Sequence, residues 1–133
     1  LLEAVTIIGD APMPVLDPEG RKPSLGAAQA EAVLALEAAT RAEAFSVTLL
    51  DGVTGSGKTV VYMEAIAEAL AGGRQALCLL PEIALTDQWL DRFQDRFGAR
   101  PLVWHSELSA VERRRAWRAI VETASQTPAW MYS

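Results

Sequence analysis

The stretch Gly52-Val53-Thr54-Gly55-Ser56-Gly57-Lys58-Thr59 constrains the fold of this chain more than any other. An apolar run, Phe45 to Leu50, leads into it, and a helix-prone run, Val60 to Ala71, leads out. Strand, glycine-rich loop and helix in that order are the context in which G-x-x-x-x-G-K-[ST] cradles phosphate. Glycines let successive backbone N–H groups turn inward around an anion where a side chain would block the approach. The helix that follows points its positive dipole end and its free N–H groups at the same place. Lys58 is placed to reach the outer phosphates, and the Thr59 hydroxyl to help hold magnesium.

At 133 residues the chain has the length of one domain with a hydrophobic core of its own. No apolar run approaches the length of a membrane span, and no signal peptide is visible, so a cytoplasmic protein is expected. Cys78 is the only cysteine and lies in an apolar run. It reads as a small buried hydrophobe, since one cysteine makes neither an internal disulfide nor a zinc cluster. A net charge of −5 argues against a broad basic surface for nucleic acid, but not against a local groove built from backbone N–H groups and a few arginines. The chain begins at Leu1 rather than at methionine, from which we expect a piece of a longer product.

Read in order, residues 1–24 are rich in proline and suggest an extended linker entering a domain, with a short strand at Val5–Ile8. Alanine, glutamate and leucine dominate from Leu25 to about Ala44, a helix capped by Ser24. Ser46 to Leu50 reads as the first buried strand, and Gly72-Gly73 as the stop of the helix after the loop. A second strand is expected at Gln75–Leu80 and a helix at Ile83–Phe97, with Leu85, Trp89 or Leu90, Phe93 and Phe97 on its apolar side. Asp87, Asp91, Asp95 and Arg96 fall on its other side. A third strand at Pro101–Trp104 precedes a helix from Leu108 to Glu122, with Ser109 and Glu112 as its capping box. No element is assigned to residues 123–133. Strands alternating with helices of this length indicate β-α-β units and a parallel sheet.

The loop, then Leu80-Pro81-Glu82-Ile83-Ala84-Leu85-Thr86, then Trp104-His105-Ser106, then Glu112-Arg113-Arg114 ahead of Trp117-Arg118 occur in an order and spacing that is specific. Together they resemble the primosomal protein N′ (PriA) family, bacterial DNA helicases of the DExH type that restart stalled replication forks. The resemblance runs from about Leu25 to Ala119. It implies an α/β fold of the P-loop NTPase (RecA-like) class, a three-layer parallel sheet with helices on both faces, present here in incomplete form over residues 25–122. Residues 123–133 are then a divergent tail, read as unrelated sequence from a truncated or shifted reading frame.

The resemblance also implies roles. Gly52, Val53, Thr54, Gly55, Ser56, Gly57, Lys58 and Thr59 would hold ATP, with Lys58 and Thr59 as the catalytic residues and Thr59 as the Mg2+ ligand. Gln29 would read the adenine ring, a task that suits an amide because it donates and accepts at once; a solvated helix glutamine is the plainer alternative. Pro81, Glu82, Thr86 and His105 would lie along DNA, against the alternatives of a plain strand-to-helix turn for the first three and a structural role for His105. The basic cluster Arg113, Arg114, Arg115 and Arg118 reads first as a solvated helix face, and Trp89, Trp104 and Trp117 as core packing rather than stacking platforms for bases. Implied partners are single-stranded or forked DNA, primosome proteins and single-strand-binding proteins, with no membrane.

Two departures qualify this. The family has an acidic residue after the loop threonine where this chain has Val60. Helicase chemistry also needs a carboxylate pair, one to hold magnesium and one to orient water; the family's Asp-Glu-x-His motif, zinc-binding cysteines and arginine finger are not in this sequence. ATP binding without a competent hydrolytic centre is therefore expected. Another P-loop nucleotide-binding protein, such as a small kinase, and a non-functional fragment are the alternatives.

Overall fold

The computed structural model describes residues 14–81, 86–104, 108–122 and 129–132. The elements in order are α1 (Ala27–Arg41), α2 (Lys58–Ala71), β1 (Ala76–Leu79), α3 (Asp87–Phe97), β2 (Leu102–Trp104), α4 (Ala110–Glu122) and β3 (Ala129–Tyr132). The strands form one parallel sheet in the order β1-β3-β2. The register sets Ala76 beside Ala129 and Leu102 beside Trp130. The last strand in sequence thus sits in the middle, between two strands that a helix and two loops separate from each other.

The helix ends follow local chemistry. Thr86 caps α3 by accepting the Trp89 N–H at 3.2 Å. Gly98 ends the helix in the left-handed region, where only glycine sits without strain. The expected Ser109–Glu112 capping box opens α4: the Ser109 N–H donates to Glu112 Oε2 at 2.8 Å, and the Glu112 N–H to Ser109 Oγ at 3.3 Å. α2 stops at Gly72-Gly73 as read from the sequence. α1 is shorter than expected and is capped at Gly26, not Ser24, because the Gln29 side chain folds back onto the Gly26 N–H at 2.9 Å.

The core joins α2, α3 and β1. Met63, Ile66, Ala67 and Leu70 of α2 face Trp89, Phe93 and Phe97 of α3, and the alternate β1 residues Ala76 and Cys78 pack onto this cluster. Phe93 and Phe97 are fully buried, each worth about 1.5–3 kcal/mol of transfer free energy. Trp89 stacks on Phe93 at 5.3 Å between ring centroids, and its indole N–H donates to the Tyr62 hydroxyl at 2.6 Å. Trp89 is core, as its spacing suggested.

Four expectations need correction. Residues 46–50 form no strand: Phe45, Val47 and Leu49 are 96%, 84% and 89% exposed. A buried strand needs a ladder partner and helices over its faces, and among the described residues this segment has neither. The other face of β1 is also open, with Leu77 and Leu79 exposed, so helices do not cover both sheet faces among the described residues. The tail, to which no element was assigned, supplies β3. Arg96, placed on the solvent side of α3, is 5% exposed and forms a bidentate pair with Glu64 of α2 at 2.6 and 3.0 Å.

The linker is a docked strap from residue 14 onward. Leu16 enters the core cluster, the Asp17 N–H donates to the Phe97 carbonyl at 2.9 Å, and Arg96 Nη1 donates to the Pro18 carbonyl at 3.1 Å. The chain runs so close here that a Cβ on Gly20 would collide with the Arg96 carbonyl oxygen. The strand expected at Val5–Ile8 lies outside the described residues.

Candidate nucleotide-binding site

The loop from Gly52 to Lys58 is held at one end by α2, whose later turns are locked in the core. Gly57 takes φ 81° and ψ 24° at the helix start, and its carbonyl accepts the N–H groups of Val60 and Val61. The first-turn N–H groups of Lys58 and Thr59 have no carbonyl one turn back, as at every helix start, and are left for an anion. Ser56 N–H closes a turn onto the Val53 carbonyl at 3.2 Å, and Gly55 turns through φ 83° between them.

Lys58 folds back over this loop. Its ammonium donates to the carbonyls of Gly52 and Val53, the latter at 2.9 Å. Both bonds are exposed, so a phosphate entering the loop can take the ammonium from them at small cost. A Cβ on Gly52 would come within 2.7 Å of Ser56 Oγ, whereas the space beside Gly55 is open.

Gln29 braces the loop from α1. Its Oε1 accepts from Gly26, and its Nε2 donates to the Ser56 carbonyl at 3.0 Å. One amide proton and one lone pair remain, enough for a base edge. A Cβ on Gly57 would land on Gln29 Nε2. We therefore expect Gly57→Ala to lose about 1–2 kcal/mol from the left-handed backbone and, in addition, the Gln29 brace. Gly55→Ala, at a similar φ with nothing within 4 Å, should pay the backbone part alone. Urea unfolding of the two variants side by side measures the difference.

A cleft of about 590 Å³ opens beside Thr59. Arg21, Lys22, Pro23 and Ser24 of the strap form one wall, with Val60, Met63 and Glu64 of α2 and Arg92, Asp95 and Arg96 of α3 opposite. Sequence reasoning missed this cleft, because the strap looked like a linker. The available signal was Glu64, a lone charge in the apolar start of α2 that needed a partner.

A DEAD/DEAH box helicase family model matches residues 27–131. The chain belongs to the DEAD/DEAH box helicase family. Membership brings a RecA-like P-loop fold and, for the family, use of ATP and Mg2+. The chain is 43% identical over 99 residues to the replication restart protein PriA of Rickettsia prowazekii (strain Madrid E), covering 74% of this chain and 14% of that protein. It is 51% identical over 74 residues to the PriA of Bacillus subtilis (strain 168), covering 56% of this chain and 9% of that protein. The PriA of Synechocystis sp. (strain ATCC 27184 / PCC 6803 / Kazusa) is 41% identical over 103 residues, covering 74% of this chain and 12% of that protein. The chain thus spans only about a tenth of the length of these relatives. The family match runs past Glu122 into the residues first read as a divergent tail.

Of the remaining predicted positions, those among the described residues of this DEAD/DEAH box chain lie after β1 and on α3 and α4. Pro81 is exposed just after β1, and Thr86 is exposed at the start of α3. The Thr86 hydroxyl accepts from Trp89 and keeps its own proton to donate. Glu82 and His105 lie outside the described residues. Arg113, Arg114, Arg115 and Arg118 are exposed on α4, with Arg113 Nε donating to the Leu108 carbonyl at 3.1 Å. Trp117, expected in the core, is 62% exposed, while its neighbour Ala116 is the buried one. Burial pushes the Cys78 thiol up to about 11, so it is un-ionised and unreactive at neutral pH. Among the described residues no group of histidine, cysteine and carboxylates is arranged to hold a metal ion, and no helix is long and apolar enough to cross a membrane.

Proposed function

We infer that this chain is the ATP-binding portion of an ATP-dependent DNA helicase that acts in replication restart. The observation that carries the reading is Lys58, held over a glycine-turned loop at the start of α2 in a chain of the DEAD/DEAH box family. ATP lays its outer phosphates on the loop N–H groups, and Lys58 leaves the Gly52 and Val53 carbonyls to neutralise them. The Thr59 hydroxyl supplies the protein ligand to Mg2+, which when bound draws charge from the phosphate oxygens. Gln29 offers its remaining proton and lone pair to adenine. Single-stranded or forked DNA runs past Pro81, Glu82, Thr86 and His105, with Thr86 donating to a phosphate. The exposed Trp117 among arginines of α4 supports a further stacking contact on that side. The complete domain is a three-layer RecA-like sheet, and it works in the cytoplasm with primosome and single-strand-binding proteins.

The sequence contains no adjacent Asp-Glu pair, so the carboxylates that hold magnesium and orient water are not among these residues. We expect the chain to bind Mg-ATP and release no phosphate, with or without single-stranded DNA. A phosphate-release assay with and without a homopolymer oligonucleotide tests this. DNA-stimulated release by the chain alone contradicts the division of labour.

A further inference from the structure

Arg96 makes several contacts outside the loop. It is buried, its Nε and Nη2 both bond the Glu64 carboxylate, and its Nη1 bonds the Pro18 carbonyl. Its guanidinium also lies 5.0 Å from the Phe97 ring centroid. One residue therefore ties three segments together: α3, which carries it; α2, five residues beyond Thr59; and the strap. Those three segments are the walls of the cleft beside Thr59.

A buried guanidinium with both partners satisfied is a poor source of stability compared with an apolar side chain of the same volume. What it supplies is geometry, because a bidentate pair fixes distance and orientation at once. The strap has little else to hold it near the cleft. Leu16 and the Asp17 N–H anchor it upstream, and after Gly20 the described contacts are the exposed Lys22–Glu19 pair within the strap itself. Arg21 to Ser24, the cleft wall, thus run between the Pro18 carbonyl that Arg96 grips and the start of α1 at Gly26.

We propose that Arg96 is a positioning residue for nucleotide binding: by gripping Glu64 and Pro18 it sets the strap wall, Arg21 to Ser24, against the base and ribose of a nucleotide whose phosphates lie on the loop. This rests on the reading of Gly52–Thr59 as the phosphate site. The cleft, at about 590 Å³, is roomy enough for a nucleoside and has Thr59 in its lining, where the phosphate chain would end. Its cationic strap residues suit the electron-rich face of a purine. Arg96 touches no ligand in this scheme and acts through the strap.

The test separates the base from the phosphates. The 133-residue chain is titrated with a fluorescent ATP analogue and, by competition, with inorganic tripolyphosphate. Arg96→Lys keeps the charge but loses the fork, and Leu16→Ala frees the strap upstream while leaving the ion pair intact. Both variants are expected to weaken the nucleotide by about tenfold, the worth of a well-made contact, and tripolyphosphate by no more than about twofold. Equal losses for the two probes would mean that Arg96 only stabilises the fold, and unchanged nucleotide affinity would mean that the strap does not touch it; either overturns the proposal. If the parent chain binds neither probe, the phosphate-site reading itself has failed, a result distinct from both.

Discussion

Glu64→Ala is expected to lower the stability of the chain by about 3–5 kcal/mol, the usual cost of leaving one member of a buried ion pair behind. The carboxylate it removes is one of two partners of a guanidinium that is almost wholly buried. Arg96 then keeps one neutral acceptor, the Pro18 carbonyl, for a full positive charge. A loss of that size is a large share of the 5–15 kcal/mol that holds most domains together. It should move the urea midpoint far down without changing the slope, as long as unfolding stays two-state. Removing both charges at once is expected to cost much less. In Glu64→Leu with Arg96→Met the buried volume is kept and no charge is stranded, so the double variant should recover most of what the single one loses. The strap would still come loose in that variant, since the bond to Pro18 goes with Arg96.

The second large effect is on binding. Lys58→Ala should weaken a nucleoside triphosphate by roughly 10- to 100-fold, the range for losing a hydrogen bond to a charged group. Stability should hardly change, because the two bonds Lys58 makes are exposed carbonyl contacts in the loop. Weaker binding with an unchanged fold is what separates a phosphate-binding lysine from a structural one.

What could be read from the sequence was what is decided locally. The loop, the α2 helix with its glycine stop, and the Ser109–Glu112 box depend on residues within about seven positions of one another. What failed depended on distant partners. Ser46 to Leu50 has the composition of a strand, but a strand exists only when another chain segment pairs with it, and no local signal reports that. β3 was missed for the converse reason. Four residues acquire strand geometry because β1 and β2 lie on either side of them. Arg96 shows a third kind of failure. On the helical wheel it sits with the aspartates, but it is one residue from Phe97 and three from Phe93, and its stem lies along the apolar face while Glu64 neutralises its head. The candidate site was legible as a phosphate loop. The strap wall beside it was not, since proline-rich sequence gives no sign of whether it is docked.

Titration of the chain and of Lys58→Ala with a fluorescent ATP analogue in the presence of Mg2+, with circular dichroism confirming the same fold in both, tests the central claim most directly. The account predicts saturable binding by the parent and at least a tenfold loss in the variant. Equal affinity in the two, or no binding by a folded parent chain, would contradict it.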